Sequence, residues 1–401
     1  MRIATAQAYE NSIANLQKRQ QDLSDSQTRL TTGKRVLRAS DDPTAAARAE
    51  RSLASAERAA VSQRSVEASR TAMELTEGAL GDAVSAVQSA RESIVAAGNA
   101  SYTDAERRGL ADQLQLYRNQ LLAIANREDG AGTYLFSGQG SNGAPFVDTA
   151  GGVQFRGLDG ESSVAAGEVL PITVNGANAW MRAPTGNGVF ETQVVTDNGT
   201  AWIDVGRVSD PSAIQDRRYD ITFNVAGSVT TYSIQRRQLD GTVDGAPVTG
   251  PYQAGTAIEI DGMSFTVSGA PANGDEFRTV PSTQSLTVFD ALDRAIAELR
   301  EPFAHSSDVA QTVAHGLRDV DAVLGRLQSV RSAVGDTLNR AESVADRLSA
   351  TELHAKTERS NAEDLDMVQG ISDFQSKQTG YDAVLKTYAQ VQRLSLFQYL
   401  G

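Results

Sequence analysis

The side chains of this chain that could do chemistry are few and poorly placed for it. His305, His315 and His354 are the only imidazoles among 401 residues, and their spacings of ten and 39 match no zinc-ligand pattern. No cysteine is present, so neither a thiolate metal site nor a disulfide framework is available. His354 sits on a charged helical stretch, and all three imidazoles read as solvated side chains. Asp41-Asp42 pairs two carboxylates that could hold a cation, but Asp42 before Pro43 is explained by a helix start. Asp240-Gly241-Thr242-Val243-Asp244-Gly245 lacks the ligand density of a calcium loop and reads as a turn. Gly138-Gln139-Gly140-Ser141-Asn142-Gly143 matches the dinucleotide fingerprint in letters only. Ala144-Pro145-Phe146 follows where a helix must open on the pyrophosphate, so the stretch reads as a flexible linker. No nucleophile elbow or positioned triad is found. The expectation is no catalytic residue, no metal and no cofactor.

What the spacing does support is helix packing. Tyr9, Ile13, Leu16, Gln20, Leu23, Gln27 and Leu30 step by alternating fours and threes, and Met367, Ile371, Phe374, Gln378, Tyr381, Leu385 and Tyr388 do the same at the other end. That is the a/d stripe of helices that pair along their length. Thinned by Gln at core positions, each stripe is too weak to hold a lone helix against its ordering entropy, so the arms are expected to order mainly against partners.

Between the arms lie the elements that must position them. Pro43 opens a long helix whose seam runs through Val66, Met73, Leu80, Val87 and Ile94 to Gly98. A second helix opens at Thr103, with Glu106 at capping-box spacing, carries Leu110, Leu114, Tyr117, Leu121 and Ile124, and is closed by Gly130. Helix returns at Ser285 and, after Pro302, runs as a stripe from Val313 to Leu348. The middle is different: 23 of the 34 glycines fall between Gly130 and Gly274, and eight of the ten prolines between Pro145 and Pro281, which excludes long helices there. Strands are expected at 169–174, at 219–225 paired with 229–235, and at 257–260 joined through Asp261-Gly262 to 263–267.

The expected fold is therefore α+β: a long coiled-coil-like helical stem formed by both chain ends, with a β-rich domain inserted in the middle. Residues 1–40 and 358–401 are the terminal assembly arms, 41–137 and 283–357 the stem, and 138–282 the outer domain. A net charge of -13 argues against a phosphate-tracking nucleic-acid binder. No run approaches membrane-span length, and Met1-Arg2-Ile3-Ala4-Thr5-Ala6-Gln7 lacks the apolar core of a cleaved secretory signal, so neither membrane insertion nor a cleaved signal is expected. The outer segment carries 16 acidic and eight basic residues from Ser141 to Pro281 and is expected to face water.

Met1-Arg2-Ile3, Tyr9, Leu30-Thr31-Thr32-Gly33-Lys34-Arg35-Val36 and Ser40-Asp41-Asp42-Pro43 closely resemble the N-terminus of the bacterial flagellin family. Ala125-Asn126-Arg127-Glu128-Asp129-Gly130, Tyr134-Leu135-Phe136-Ser137-Gly138 and the ending Leu394-Ser395-Leu396-Phe397-Gln398-Tyr399-Leu400 agree. The segments Ala257–Val267 and Gly274-Asp275-Glu276-Phe277 are similar to the hook-associated members more than to filament flagellin. Ala39-Ser40 stands where the family pattern has Pro-Ser.

The resemblance implies a structural adapter at the junction of hook and filament. It would be exported by the flagellar type III apparatus to an extracellular position on the flagellum, without signal cleavage. The implied partners are an adjacent hook-associated protein, flagellin, copies of the chain itself in a helical or ring assembly, and an export chaperone. The assembly interface expected from the two stripes and the ending of the chain is Tyr9, Ile13, Leu16, Leu23, Leu30, Ile371, Phe374, Tyr381, Leu385, Tyr388, Leu396 and Phe397. The connector is Gly33, Lys34, Arg35, Asp41, Asp42 and Pro43. Within the family the alternative is filament flagellin itself. From other classes, the β-rich insert could be a carbohydrate-binding or adhesive module stacking sugars on Trp180, Trp202 and Tyr219, or a secreted hydrolase.

Overall fold

The computed structural model describes residues 2–165 and 168–400; the side chains of residues 2–6, 8, 9 and 391–400 lie outside that description. Seven helices are found among the described residues: α1 (Arg2–Thr32), α2 (Pro43–Ala97), α3 (Asp104–Ala125), α4 (Gly176–Trp180), α5 (Val288–Arg300), α6 (Ser306–Glu363) and α7 (Met367–Leu400). Thirteen strands lie between α3 and α5. They are β1 (Phe146–Thr149), β2 (Gly152–Phe155), β3 (Ser163–Ala165), β4 (Val169–Pro171), β5 (Phe190–Thr196), β6 (Trp202–Ile203) and β7 (Arg207–Val208), then β8 (Arg218–Ala226), β9 (Val229–Arg237), β10 (Val248–Pro251), β11 (Ala257–Ile260), β12 (Met263–Ser268) and β13 (Glu276–Pro281). The α+β class is as expected. The chain forms two compact units, one of residues 1–64 and 344–401, the other of residues 65–343.

Among its described residues the first unit is helical apart from two breaks. α1 and α7 run antiparallel, since a side chain on Gly370 would meet Leu30 and one on Gly380 would meet Arg19.

The second unit holds two hydrophobic clusters. The larger joins Met73, Leu80, Val87 and Ile94 of α2, Leu114 and Leu121 of α3, Phe289, Leu292 and Ile296 of α5, and Val320, Val323 and Leu327 of α6. Phe146, Val153, Val174 and Trp180 belong to this same cluster. Trp180 stacks on Phe289 with centroids 6.1 Å apart and takes the edge of Phe136 at 5.3 Å. The insert expected over 138–282 is thus divided. Residues up to about Ala183 complete the helical core, and only the following segment forms a β-rich body with its own cluster of Phe190, Ile203, Tyr219, Ile221, Phe223, Phe265 and Phe277. That body is a five-stranded sheet of order β10-β9-β8-β13-β5 against the smaller array of β11, β12, β6 and β7.

Local chemistry accounts for the element ends. Thr103 and Glu106 form the expected capping box, the Thr103 N–H donating to Glu106 Oε2 at 2.6 Å and the Glu106 N–H to Thr103 Oγ1 at 3.3 Å. α3 stops at Ala125 rather than at Gly130, because the Asn126 side-chain amide pairs with Phe146: it donates to the carbonyl at 2.8 Å and accepts the N–H at 2.9 Å. α5 opens at Val288, Thr287 capping the Asp290 N–H at 2.8 Å. The hairpin of β11 and β12 turns on Asp261 (φ 44°) and Gly262 (φ 80°), the pair of positive φ angles that Asp-Gly supplies. The strand expected over 169–174 ends at Pro171, and Asn175 caps α4 instead of making a turn.

Two motif readings are corrected. The Gly138 stretch is not a free linker. The Gly138 N–H donates to the Val174 carbonyl at 3.2 Å and the Gln139 N–H to the Leu158 carbonyl at 3.0 Å, and a Cβ built on Gly138 would lie 1.9 Å from that Leu158 oxygen. Only a glycine admits so close a backbone approach. His315 is partly buried rather than solvated: burial first, then Arg318 and Arg294, push its pKa from 6.5 down to about 3. His305 and His354 are exposed as expected.

Candidate assembly interface

The connector from α1 to α2 is pinned across the break between α6 and α7. α1 ends at Gly33, whose φ of 69° suits a glycine, and the Gly33 carbonyl accepts the Leu365 N–H at 2.8 Å. Arg35 N and Val36 N donate to the Glu363 carbonyl at 2.7 and 3.3 Å, and Lys34 pairs with Asp364 as an antiparallel bridge. The Arg35 guanidinium donates to the Ala362 carbonyl at 2.8 Å and meets Asp42 at 3.3 Å. The carbonyls left open at the end of α6 are thus capped by backbone and cation together, where the helix dipole is negative. Glu363 accepts Lys34 at 3.2 Å and Arg359 at 2.9 Å.

The two aspartates of the connector are helix and turn caps. Asp42 Oδ1 accepts the Ala45 N–H at 3.0 Å, at the third helical position, with Pro43 at the first. Asp41 Oδ2 accepts the N–H groups of Leu37 and Arg38, both at 3.1 Å. These N–H donors hold both carboxyls below the usual aspartate range, chiefly Arg38 for Asp41 and Ala45 for Asp42. Asp366 repeats the device for α7, accepting from Val368 and Gln369 at 2.9 and 3.2 Å.

In the arms themselves the seam is displaced from its expected register. Leu16, Leu23 and Leu30 of α1 and Phe374, Tyr381 and Tyr388 of α7 are partly buried, as is Ile13. The alternate positions differ. Gln20 and Gln27 are exposed, while Ser26, one residue earlier in the turn, is buried. In α7 Gly370 is buried and Val384 partly so, while Ile371, Gln378 and Leu385 are exposed. Each helix therefore keeps its large residues and pairs them with the small or aliphatic neighbour on one side, because Ser26 and Gly370 let the helices approach where Gln would hold them apart. Ile371 and Leu385, expected in the α1–α7 seam, lie instead on a second stripe of α7 with Val368; the three are 46%, 38% and 81% exposed. Tyr9, Leu396 and Phe397 lie within α1 and α7, with side chains outside the described residues.

The other candidate chemistry does not come together. No group of three or more His, Asp or Glu that could hold a metal is found among the described residues. Nor is any described helix long and apolar enough to cross a membrane. Trp180 and Tyr219 are buried in different clusters and cannot stack a sugar at the surface, leaving Trp202 partly exposed and alone of the three. Sequence reasoning missed the second stripe of α7 because two adjacent stripes of one helix share Phe374, Tyr381 and Tyr388; the buried Gly370 beside Ile371 was the available signal.

Residues 3–141 match the bacterial flagellin N-terminal helical region, and residues 317–400 the bacterial flagellin C-terminal helical region. The chain is similar to flagellar hook-associated protein 3 of Escherichia coli, 26% identical with 99% of each chain covered. It is 31% identical to the flagellar junction protein of Legionella pneumophila, whose crystal structure superposes with a TM-score of 0.64 over 71% of this chain and 95% of that one. Likeness to the flagellin of Salmonella enteritidis is narrower, 23% identity over 82% of this chain and 72% of that one.

Proposed function

We propose that this chain, which belongs to the bacterial flagellin family and within it to the hook-associated protein 3 group, is the structural adapter that joins the flagellar hook to the flagellin filament. The observation that carries the reading is the second apolar stripe of α7. Val368, Ile371 and Leu385 are left facing outward after α1 and α7 have paired, and an apolar stripe on a helix already satisfied on its other side calls for further helices. Arms of equivalent copies, arranged in a helical or ring assembly, supply them laterally. An adjacent hook-associated protein contacts the assembly on the hook side and flagellin on the filament side. The wider likeness to hook-associated proteins than to filament flagellin favours the adapter over the filament subunit.

The role asks for no catalysis, and the chain acts as a non-enzymatic structural part of the flagellum. Residues 1–40 and 358–401 serve as assembly arms, and the connector of Gly33, Lys34, Arg35, Asp41, Asp42 and Pro43 sets where both arms leave the stem. The stem comprises 41–137 and 283–357 together with the first part of the insert, and the β-rich body forms the outer surface. Export proceeds through the flagellar type III apparatus without signal cleavage, with a chaperone covering the outward stripe until assembly.

The absence of cysteine makes the test direct. Single Ile371→Cys and Leu385→Cys variants should give cross-linked dimers in assembled flagella and none in the exported monomer. Cells lacking the chain should build hooks and shed flagellin. Equal cross-linking of free monomers, or filament retention without the chain, would overturn the proposal.

A further inference from the structure

One amide of α6 holds β6 of the β-rich body. The Ile203 N–H donates to Gln311 Oε1 at 2.8 Å, and Gln311 Nε2 donates to the Ile203 carbonyl at 3.1 Å, so the side chain of Gln311 pairs with β6 as a strand would. That pair fixes the amide's orientation and leaves its second hydrogen for His315 Nε2, 2.6 Å from Gln311 Nε2. A ring nitrogen that receives an N–H carries no hydrogen, so His315 is neutral with its proton on Nδ1. A proton added at Nε2 would set donor against donor. Turning the amide over offers Oε1 to the imidazole, but then sets NH2 against the Ile203 N–H and oxygen against its carbonyl.

We propose that Gln311 and His315 form an acid-released latch, holding β6 on α6 while the imidazole is neutral and letting β6 part from α6 when it takes a proton. The latch lines a cavity of about 460 Å³ between the body and the two helices. From the body Glu191 and Asp197 face it, from α5 Arg294 and Glu298, and from α6 Asp308, Arg318 and Asp319. The two arginines oppose a charged imidazole. Arg318 is held by Asp319 at 2.8 Å, Glu191 at 3.3 Å and the Thr192 carbonyl at 3.2 Å, and so stays in place.

The direction of the pH effect follows from the closed and open forms. With its pKa depressed to about 3 in the closed form and near 6.5 when released, His315 favours closure fully above pH 6.5. That preference is lost as pH falls from 6.5 toward 3. Two pH units below the open-form value, His315 by itself raises the opening constant on the order of 100-fold. Asp197 and Glu298 act in the opposite sense: burial raises both, so the closed form takes up their protons more readily and they firm the latch on acidification.

Hydrogen exchange of the full chain tests this at the Ile203 amide, the donor to Gln311. After correction for intrinsic rates, protection there should fall between pH 7.5 and 4.5 relative to a His315→Gln chain, by on the order of 100-fold. His315→Gln keeps an acceptor that cannot be charged in this range, while Asp197 and Glu298 act alike in both chains. A native chain whose protection follows that of the His315→Gln variant across this range would overturn the latch. Should the variant fail to fold, NMR titration of the native chain decides: His315 titrating near 6.5 while the Ile203 amide stays protected refutes the proposal, and a histidine that does not charge until protection is lost supports it.

Discussion

Aspartate placed on the two stripes of α7 should separate folding from assembly. Val368, Ile371 and Leu385 expose 81%, 46% and 38% of their surface in the single chain. Covering those remainders on assembly removes roughly 280 Å² from water, which at about 25 cal/mol per Å² contributes about 7 kcal/mol per chain. Entropy and imperfect fit reduce the net gain. Ile371→Asp or Leu385→Asp forfeits that residue's share and places an ion where the neighbouring arm must pack, a burial that costs several kcal/mol without a partner. In the isolated chain the same carboxylate remains largely in water. Circular dichroism of the purified variants should therefore match the parent, and export should be normal, while filaments detach and flagellin accumulates in the medium. Phe374→Asp is the contrast: it strikes the α1–α7 seam, so helix content and thermal stability of the free chain should fall as well. The reasoning is refuted if the Ile371 and Leu385 variants retain filaments as the parent does, or if they lose helix content as fully as Phe374→Asp.

Two further outcomes bear on the connector and the insert. Asp41 and Asp42 have pKa values lowered by backbone N–H donors, so their contribution is present above pH 3.8 and lost as pH falls through the lower folded values. Asp41→Asn with Asp42→Asn should flatten that acid limb in a thermal-melt series, and an unchanged limb would exclude the caps as its source. Excising 187–281 with a short Gly/Ser bridge should leave helix content and the buried emission of Trp180 intact. Excising 141–281 removes Phe146 and Trp180 from the helical core and should destabilise it; equal stability of the two deletions would count against the divided insert.

Much of this architecture is written locally and was legible. Asp42-Pro43, Thr103 with Glu106, and Asp261-Gly262 each act within a few residues, so their helix starts and turn follow from side-chain chemistry alone. What was hidden depends on distant partners. The end of α3 is set by Asn126 meeting Phe146, the neutrality of His315 by a Gln311 amide that Ile203 orients, and the division of the insert by Trp180 reaching Phe289. For the candidate interface, the large residues of both arms were legible from their spacing. Which neighbour each takes was not, because at 3.6 residues per turn the positions on either side of Leu23 or Phe374 fit a stripe equally well.

The two hydrophobic clusters of the second unit also differ in how the chain is threaded through them. The cluster of the β-rich body draws on residues from Phe190 to Val267 and Phe277, one unbroken stretch. The helical cluster draws on Ala72 at one extreme and Val334 at the other, and the pairing of α1 with α7 joins nearly the first residue to the last. Closing such loops costs chain entropy before any contact rewards it. Synthesis from the N-terminus therefore completes the body while the helical core still lacks a wall, and α1 has nothing to pair with until the ribosome has finished. The order in which the parts become solid is thereby fixed by their place along the polypeptide: the β-rich body first, the helical core next, and the pair of α1 with α7 last.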